Sequence, residues 1–123
     1  MKQKNVFGAD LKPCSSNPIT GFFRDSFCHT CDDDQGVHKV CIILTKEFLS
    51  MSKYLGNDLS TPKPEFGFPG LKPGDRWCLC AARWSVAYDN DYAPMVDLEA
   101  TNLRTLEVVD LEKLKKFSVT KLV

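Results

Sequence analysis

The 123-residue sequence has no apolar stretch long enough to cross a membrane. Its longest uninterrupted apolar runs are VCIIL at 40–44 and WCLCAA at 77–82, far shorter than the roughly 18 residues that a membrane span requires. The lysine-bearing first fifteen residues contain no apolar segment typical of a secretory signal. We therefore expect no membrane association and a cytoplasmic location.

The sequence also has no excess of charge of either sign. Sixteen lysines and arginines balance sixteen aspartates and glutamates, whereas nucleic-acid-binding domains carry a strongly basic surface. We therefore expect no nucleic-acid partner. The chain contains no glycine-rich phosphate loop, no dinucleotide fingerprint and no G-x-S-x-G elbow. These patterns leave the identity of a small-molecule or protein partner open.

Hydrophobic periodicity and capping residues predict a β-α-loop-β-α-β-β-α order. The firmest element is a helix over 46–55, which Thr45 caps and Gly56 ends. The other predicted elements are strands at 39–44, 76–82, 96–100 and 106–109, a short helix at 83–90, and a last helix after Asp110. This order predicts an α+β fold with a small mixed or antiparallel sheet and about three helices.

Two segments lack a regular pattern within the predicted single domain of 1–123. Residues 1–36 are rich in turn-forming residues and predict an irregular N-terminal arm. Residues 57–75 interleave prolines and glycines and predict a long, ordered loop. In this loop, Asp58 and Asp75 are interpreted as turn caps rather than pocket residues, because Asp beside Gly and Pro commonly has that role.

Six cysteines make up about 5% of the chain, below the share typical of disulfide scaffolds. In a reducing cytoplasm, paired cysteines indicate metal binding or redox chemistry. Cys28, Cys31, His38 and Cys41 form a C-x2-C-x6-H-x2-C set with the right number of ligands for zinc. His38 and Cys41, however, precede or enter a strand in which residues three apart point to opposite faces. Cys41 is surrounded in the sequence by the apolar residues of VCIIL, which favours a buried core residue without a metal or a disulfide.

A thioredoxin-like role for the Cys28–Cys31 pair is disfavoured by its context. Three aspartates follow the pair directly, and their negative charge opposes thiolate formation. No predicted βαβ unit surrounds it. The alternative without a chemical function is a turn that happens to contain Cys28 and Cys31.

Cys78 and Cys80 form a second pair, on a predicted strand. Residues i and i+2 share a face, so both sulfurs point away from Trp77 and Leu79. Their expected Cα separation of roughly 6.5–7 Å is at the outer limit for a disulfide. Three interpretations stay open: the two thiols chelate a soft metal, each meets a cysteine of the arm, or both are small core residues.

The segment GNDLSTPKPEFGFPGLKPGDRWCLCAARW at 56–84 resembles the family catalogued as domain of unknown function 2237. The resemblance extends to PCSSNPITGFFRD at 13–25, GVHKVC at 36–41 and APMVDLEAT at 93–101. It implies no particular activity. It does imply that cysteine or histidine stands at the positions of Cys14, Cys28, His38, Cys41, Cys78 and Cys80. At the position of Cys31 it implies glycine, which disfavours both the CxxC redox pair and the local zinc quartet.

These observations predict a distributed site of Cys14, Cys28, His38, Cys78 and Cys80, formed if the arm packs over the sheet. Three functions remain open. The site binds a zinc-like metal or carries reactive thiols; the protein is a structural or interaction module with buried cysteines; or it is a thiol-dependent enzyme acting on a small molecule. In the last case the nucleophile is Cys28 or Cys80 and the base is His38.

Overall fold

The computed structural model describes residues 3–15, 26–29, 39–56, 58–66 and 70–119. Three strands in these segments form one antiparallel sheet in the order β2-β1-β3. The strands are β1 at Lys39–Ile43, β2 at Arg76–Cys80 and β3 at Met95–Val96. The register places Cys41 opposite Cys78. The predicted α+β fold with a small sheet is confirmed.

Three α-helices accompany the sheet in the described part of the chain: α1 at Lys46–Tyr54, α2 at Ala81–Asp89 and α3 at Leu111–Lys115. Helix α1 matches its prediction, since the Thr45 hydroxyl accepts a hydrogen bond from the Phe48 amide at 3.1 Å. Each helix is far too short and polar to cross a membrane, and the described residues contain no candidate span.

The predicted helix after Asp110 is present as the short helix α3. Asp110 occupies its N-cap position, but the carboxylate makes no capping hydrogen bond. Helix α3 ends at Lys115, and Phe117 follows it. The ring still contacts the core, where it meets Trp84 edge-on at a centroid distance of 5.6 Å.

The predicted strand at 96–100 is confirmed only at Val96, and the predicted strand at 106–109 is wrong. Strand β3 ends at Val96, and the chain continues in two 3-10 helices at Leu98–Ala100 and Leu103–Glu107. The cause is local, because Asp97 and Asn102 accept hydrogen bonds from backbone amides two residues ahead. Short polar side chains of this kind divert the backbone from a strand into a turn.

Polar side chains make several local hydrogen bonds in the described part of the segment at 57–75. The Asp75 carboxylate accepts from the Lys72 amide at 2.9 Å, while the Asp75 amide donates to the Lys72 carbonyl at 3.0 Å. The Asp58 carboxylate accepts from the backbone and hydroxyl groups of Ser60 and Thr61. Both aspartates are turn caps, as predicted.

The sheet separates two buried clusters. One face carries Val40, Ile42 and Leu79 into the main core, which surrounds the fully buried Trp84. Because successive strand residues alternate in direction, Cys41 and Cys78 point the other way, into a second cluster made almost entirely of cysteine. The fold therefore places the cysteines of this cluster, Cys14, Cys28, Cys41 and Cys78, on the face of the sheet opposite the main core.

Candidate functional site

Two disulfides join the N-terminal segment to the sheet. Cys14 is bonded to Cys41 of β1 and Cys28 to Cys78 of β2. The Cα atoms are 5.7 Å and 5.4 Å apart, respectively, within the usual range for disulfides. The antiparallel register puts Cys41 and Cys78 side by side, so the two disulfides lie next to each other.

The four bonded cysteines are almost completely inaccessible to solvent. Cys28 and Cys41 are 0% exposed, Cys14 is 4% exposed and Cys78 is 7% exposed. The small side chain of Ala100, also 0% exposed, completes the cluster. The Sγ atoms of Cys14, Cys28 and Cys78 all lie within 4.8 Å of one another. The sulfur of Cys41 is bonded to that of Cys14, so all four sulfurs share a small volume.

Buried polar side chains from the segment after β3 hold the strand that carries Cys41. The Thr101 hydroxyl accepts from the Cys41 amide at 3.2 Å and donates to the Asp97 carbonyl at 2.8 Å. The Thr105 hydroxyl donates to the Lys39 carbonyl at 2.9 Å. These bonds satisfy backbone groups of β1 on the side where the short strand β3, which pairs only with Ile42 and Ile43, does not reach, and they hold Cys41 in place.

Asn102 holds the N-terminal segment in place through its side-chain amide. Its Nδ2 atom donates to the Cys28 carbonyl at 3.1 Å and to the Gln3 Oε1 atom at 2.6 Å. These polar residues were not predicted as part of the site. One sequence feature could have pointed to them: Thr101 is the last residue of the APMVDLEAT segment at 93–101 that carries the family resemblance. That feature assigns no role to Thr101.

Two ion pairs flank the cluster. Arg76 pairs with Asp97 at 2.5 Å, with side-chain exposures of 39% and 17%. On the arm, Lys12 pairs with Glu99 at 2.6 Å, and the hydrogen bond to this carboxylate raises the pKa of Lys12. Asp97 and Glu99 both lie within three residues of Ala100, which packs against the cysteines. The two ion pairs therefore hold β2 and the N-terminal segment to the same stretch of chain beside the cluster.

Cys80 lies at the end of β2 and is, among the described cysteines, the one in neither disulfide. It shares the strand face of Cys78, as predicted from the spacing, and it is half-buried. Its Sγ atom accepts a hydrogen bond from Lys39 Nζ at 3.6 Å, because the register places Lys39 directly opposite it. Cys80 does not belong to the group of three close sulfurs.

A cavity of about 520 Å³ opens beside the arm cysteines. It is lined by residues that flank Cys14 and Cys28 in the chain, including Pro13 on one side and Phe27 and His29 on the other. The rings of Phe27 and His29 stack with their centroids 5.1 Å apart. The two stacked rings form part of the lining of this cavity, next in the chain to Cys28.

The structure brings together three of the five predicted site residues: Cys14, Cys28 and Cys78. Cys80 lies on the same sheet face outside that group, and His38 lies outside the described residues, as does Cys31. The interpretation of Cys41 as a plain core residue is wrong. It is fully buried, as expected, but it is bonded to Cys14.

The fold and the site define a small α+β protein with a buried cysteine cluster between its sheet and its N-terminal segment. The chain belongs to the family described as uncharacterized protein conserved in bacteria (DUF2237), which matches residues 4–118. The resemblance found in the sequence is thereby confirmed. A search among curated proteins found no match.

Proposed function

We propose that the cysteine cluster is a redox-dependent metal site. In this proposal the reduced cysteines hold one zinc-like ion, and oxidation to two disulfides releases it. The observation that carries the proposal is the mutual distance of at most 4.8 Å among the sulfurs of Cys14, Cys28 and Cys78, all buried.

The ligand chemistry supports the proposal. Four thiolates bound to zinc at about 2.3 Å in a tetrahedron have sulfurs roughly 3.8 Å apart. On reduction the bonded sulfurs of Cys28 and Cys78 must move apart to reach this spacing, whereas the sulfur of Cys14, within 4.8 Å of both, must approach them by at most about 1 Å. Cys41, whose sulfur is bonded to that of Cys14, becomes the fourth ligand when this bond opens.

The redox step balances with a low-molecular-weight disulfide as the oxidant. Each pair of cysteine thiolates gives two electrons to one oxidant molecule, whose own S–S bond breaks to yield two thiolates. Two such reactions form the Cys14–Cys41 and Cys28–Cys78 bonds. The ion, having lost its thiolate ligands, leaves with its charge unchanged. Metal binding is therefore coupled to the thiol oxidation state.

The charge around the cluster is compatible with a bound ion. Four thiolates and one divalent cation carry a net charge of about −2, which is costly to bury without a compensating cation. Lys39 lies on the same strand face as Cys41 and extends its ammonium group towards Cys80. This lysine supplies positive charge at the border of the cluster.

Native mass spectrometry tests the proposal. Fully reduced protein is mixed with an excess of zinc and desalted, and its mass is compared with that of oxidised protein treated in the same way. We expect one zinc ion per chain in the reduced sample and none in the oxidised one. The Cys28→Ser and Cys78→Ser variants should lose the ion.

The Cys80→Ser variant is the matched control, because Cys80 is on the same strand two residues from Cys78 but outside the group of close sulfurs. It should keep one ion per chain. The proposal is wrong if reduced, folded wild-type protein binds no zinc, or if Cys80→Ser abolishes binding while Cys28→Ser does not.

A structural role for permanent disulfides is the second candidate. It is favoured by the complete burial of Cys28 and Cys41, because exchange requires access to a sulfur atom. Incubation with millimolar low-molecular-weight thiol separates the two candidates. A structural pair of disulfides stays intact in the folded protein, whereas a redox-dependent metal site opens and then binds zinc.

A further inference from the structure

We infer that Cys14 is an exchange sulfur that transfers reducing equivalents between the two disulfides. The inference goes beyond metal binding, since it concerns the oxidised and half-reduced forms of the cluster. It shares with the proposed function only the premise that the cluster changes its redox state.

The geometry distinguishes Cys14 from its bonded partner. The Cys14 sulfur lies within 4.8 Å of both sulfurs of the Cys28–Cys78 disulfide. Cys41 does not belong to this group of three. When the Cys14–Cys41 bond is opened, the sulfur beside the second disulfide is therefore that of Cys14.

Exchange begins when an external dithiol reduces the Cys14–Cys41 bond and is itself oxidised to a disulfide. The Cys14 thiolate then attacks one sulfur of Cys28–Cys78. A bond from Cys14 to the attacked sulfur forms, the old S–S bond breaks, and its electron pair stays on the sulfur that leaves. That thiolate takes up the proton released by Cys14, so the internal step requires no further oxidant or reductant.

The two products differ in how they hold the N-terminal segment. A Cys14–Cys78 bond still links this segment to β2. A Cys14–Cys28 bond closes the segment on itself and leaves both strand cysteines, Cys41 and Cys78, as thiols. Reduction of the Cys14–Cys41 bond leaves one of the two covalent links to the sheet, and exchange through Cys14 either keeps one link or removes the last one.

Disulfide mapping of two serine variants tests this inference. Cys41→Ser leaves Cys14 as a thiol beside the second disulfide, whereas Cys14→Ser leaves Cys41 as the thiol. Both variants are purified without metal, quenched in acid to stop exchange, digested and analysed by mass spectrometry. In Cys41→Ser we expect Cys14 in a disulfide with Cys28 or Cys78 in at least a tenth of the molecules. In Cys14→Ser we expect the Cys28–Cys78 bond alone.

Wild-type protein provides a second measurement that does not depend on how the variants fold. After reaction with one equivalent of dithiol and an acid quench, two-electron-reduced molecules should include a species with a free Cys41 and a disulfide that contains Cys14. The inference is overturned if these molecules contain only the two native disulfides, one open at a time, and Cys41→Ser keeps Cys14 fully free. That result would not affect zinc binding by fully reduced protein, so the two proposals fail separately.

Discussion

Asn102 joins three parts of the molecule through a side chain that is 2% exposed. Its amide donates to Gln3 and to the Cys28 carbonyl, and its Oδ1 atom accepts from the Arg104 amide at 3.0 Å. Replacement by alanine leaves these partners unsatisfied in a buried place. We expect Asn102→Ala to lower the free energy of unfolding by about 2–3 kcal/mol, measured by urea titration of the oxidised protein.

The matched control for this substitution is Asn90→Ala. Asn90 is an exposed residue whose Nδ2 atom donates to the Val86 carbonyl at 2.8 Å. Because water replaces that hydrogen bond, the free energy of unfolding should change by about 0.5 kcal/mol or less. Equal losses in both variants would contradict the role assigned to Asn102.

Asp58 predicts a dependence of stability on pH. The hydroxyl of Thr61, at 2.6 Å, and the donors of Ser60 hold the pKa of Asp58 well below its ordinary value of 3.8. Since the pKa is lower in the folded state, the contribution to stability is complete above pH 3.8 and is lost as the pH falls further. The cost of Asp58→Asn should therefore be greatest near neutral pH and shrink towards pH 2, as measured by unfolding at several pH values.

Thr61→Val removes the shortest of these hydrogen bonds. It should reduce the same pH dependence without removing the carboxylate, because the largest cause of the lowered pKa is the Thr61 hydroxyl. The assignment of the pH dependence to Asp58 fails if the difference between wild type and either variant is constant over the acid range.

Single residues also show why the disulfide pairing could not be predicted from the sequence. The alternation of a strand predicted that Cys78 and Cys80 share a face, and the structure confirms it. The apolar neighbours of Cys41 favoured a core residue, because burial is set by local context. Its bond to Cys14 depends on how the N-terminal segment crosses the sheet, and local patterns contain no information about that path.

Among the elements, helix α1 and the segment after β3 show the contrast between strong and weak local signals. Helix α1 combines an apolar face, a Thr45 cap and a glycine at its end with φ of 92°, so several signals agree. In residues 96–100 the apolar alternation predicts a strand, while the capping side chain of Asp97 favours a turn. The turn forms, and it brings Thr101 and Asn102 to the cysteine cluster.

The loop before β2 depends on Gly70. This residue has φ of 80°, and a Cβ atom would lie 2.6 Å from the Ser60 carbonyl oxygen and 3.1 Å from the Pro62 nitrogen. Both are backbone atoms, which cannot move aside as a flexible side chain can. We expect Gly70→Ala to lower the free energy of unfolding by about 3 kcal/mol, through positive-φ strain and this clash.

Gly74→Ala separates the cost of the positive φ from the cost of the clash with backbone atoms. Gly74 has φ of 93°, but a Cβ atom there would meet nothing within 4 Å. Only the cost of the left-handed backbone remains, about 1 kcal/mol. Chemical denaturation of both variants measures the difference, and equal losses would mean that the contact between Gly70 and Ser60 is unimportant.

On the scale of the whole molecule, the two disulfides close long stretches of the chain. Cys14 and Cys41 are 27 residues apart, and Cys28 and Cys78 are 50 residues apart. From the loss of chain entropy in the unfolded state, such loops correspond to stabilisation of about 3.5 and about 4 kcal/mol. Because this is a large part of the 5–15 kcal/mol typical of a domain, we expect reduction of the two disulfides to destabilise the fold substantially.

A metal ion bound by the reduced cluster should recover part of that loss. An ion that binds only the folded state at a hundred times its dissociation constant adds about 2.7 kcal/mol. We therefore expect the melting temperature to fall when the disulfides are reduced in the presence of a chelator, and to rise again when zinc replaces the chelator. Reduced Cys28→Ser should melt at the same temperature with and without zinc, because it lacks one ligand of the close group. If zinc leaves the melting temperature of reduced wild-type protein unchanged, the cysteines stabilise this fold through their disulfides alone.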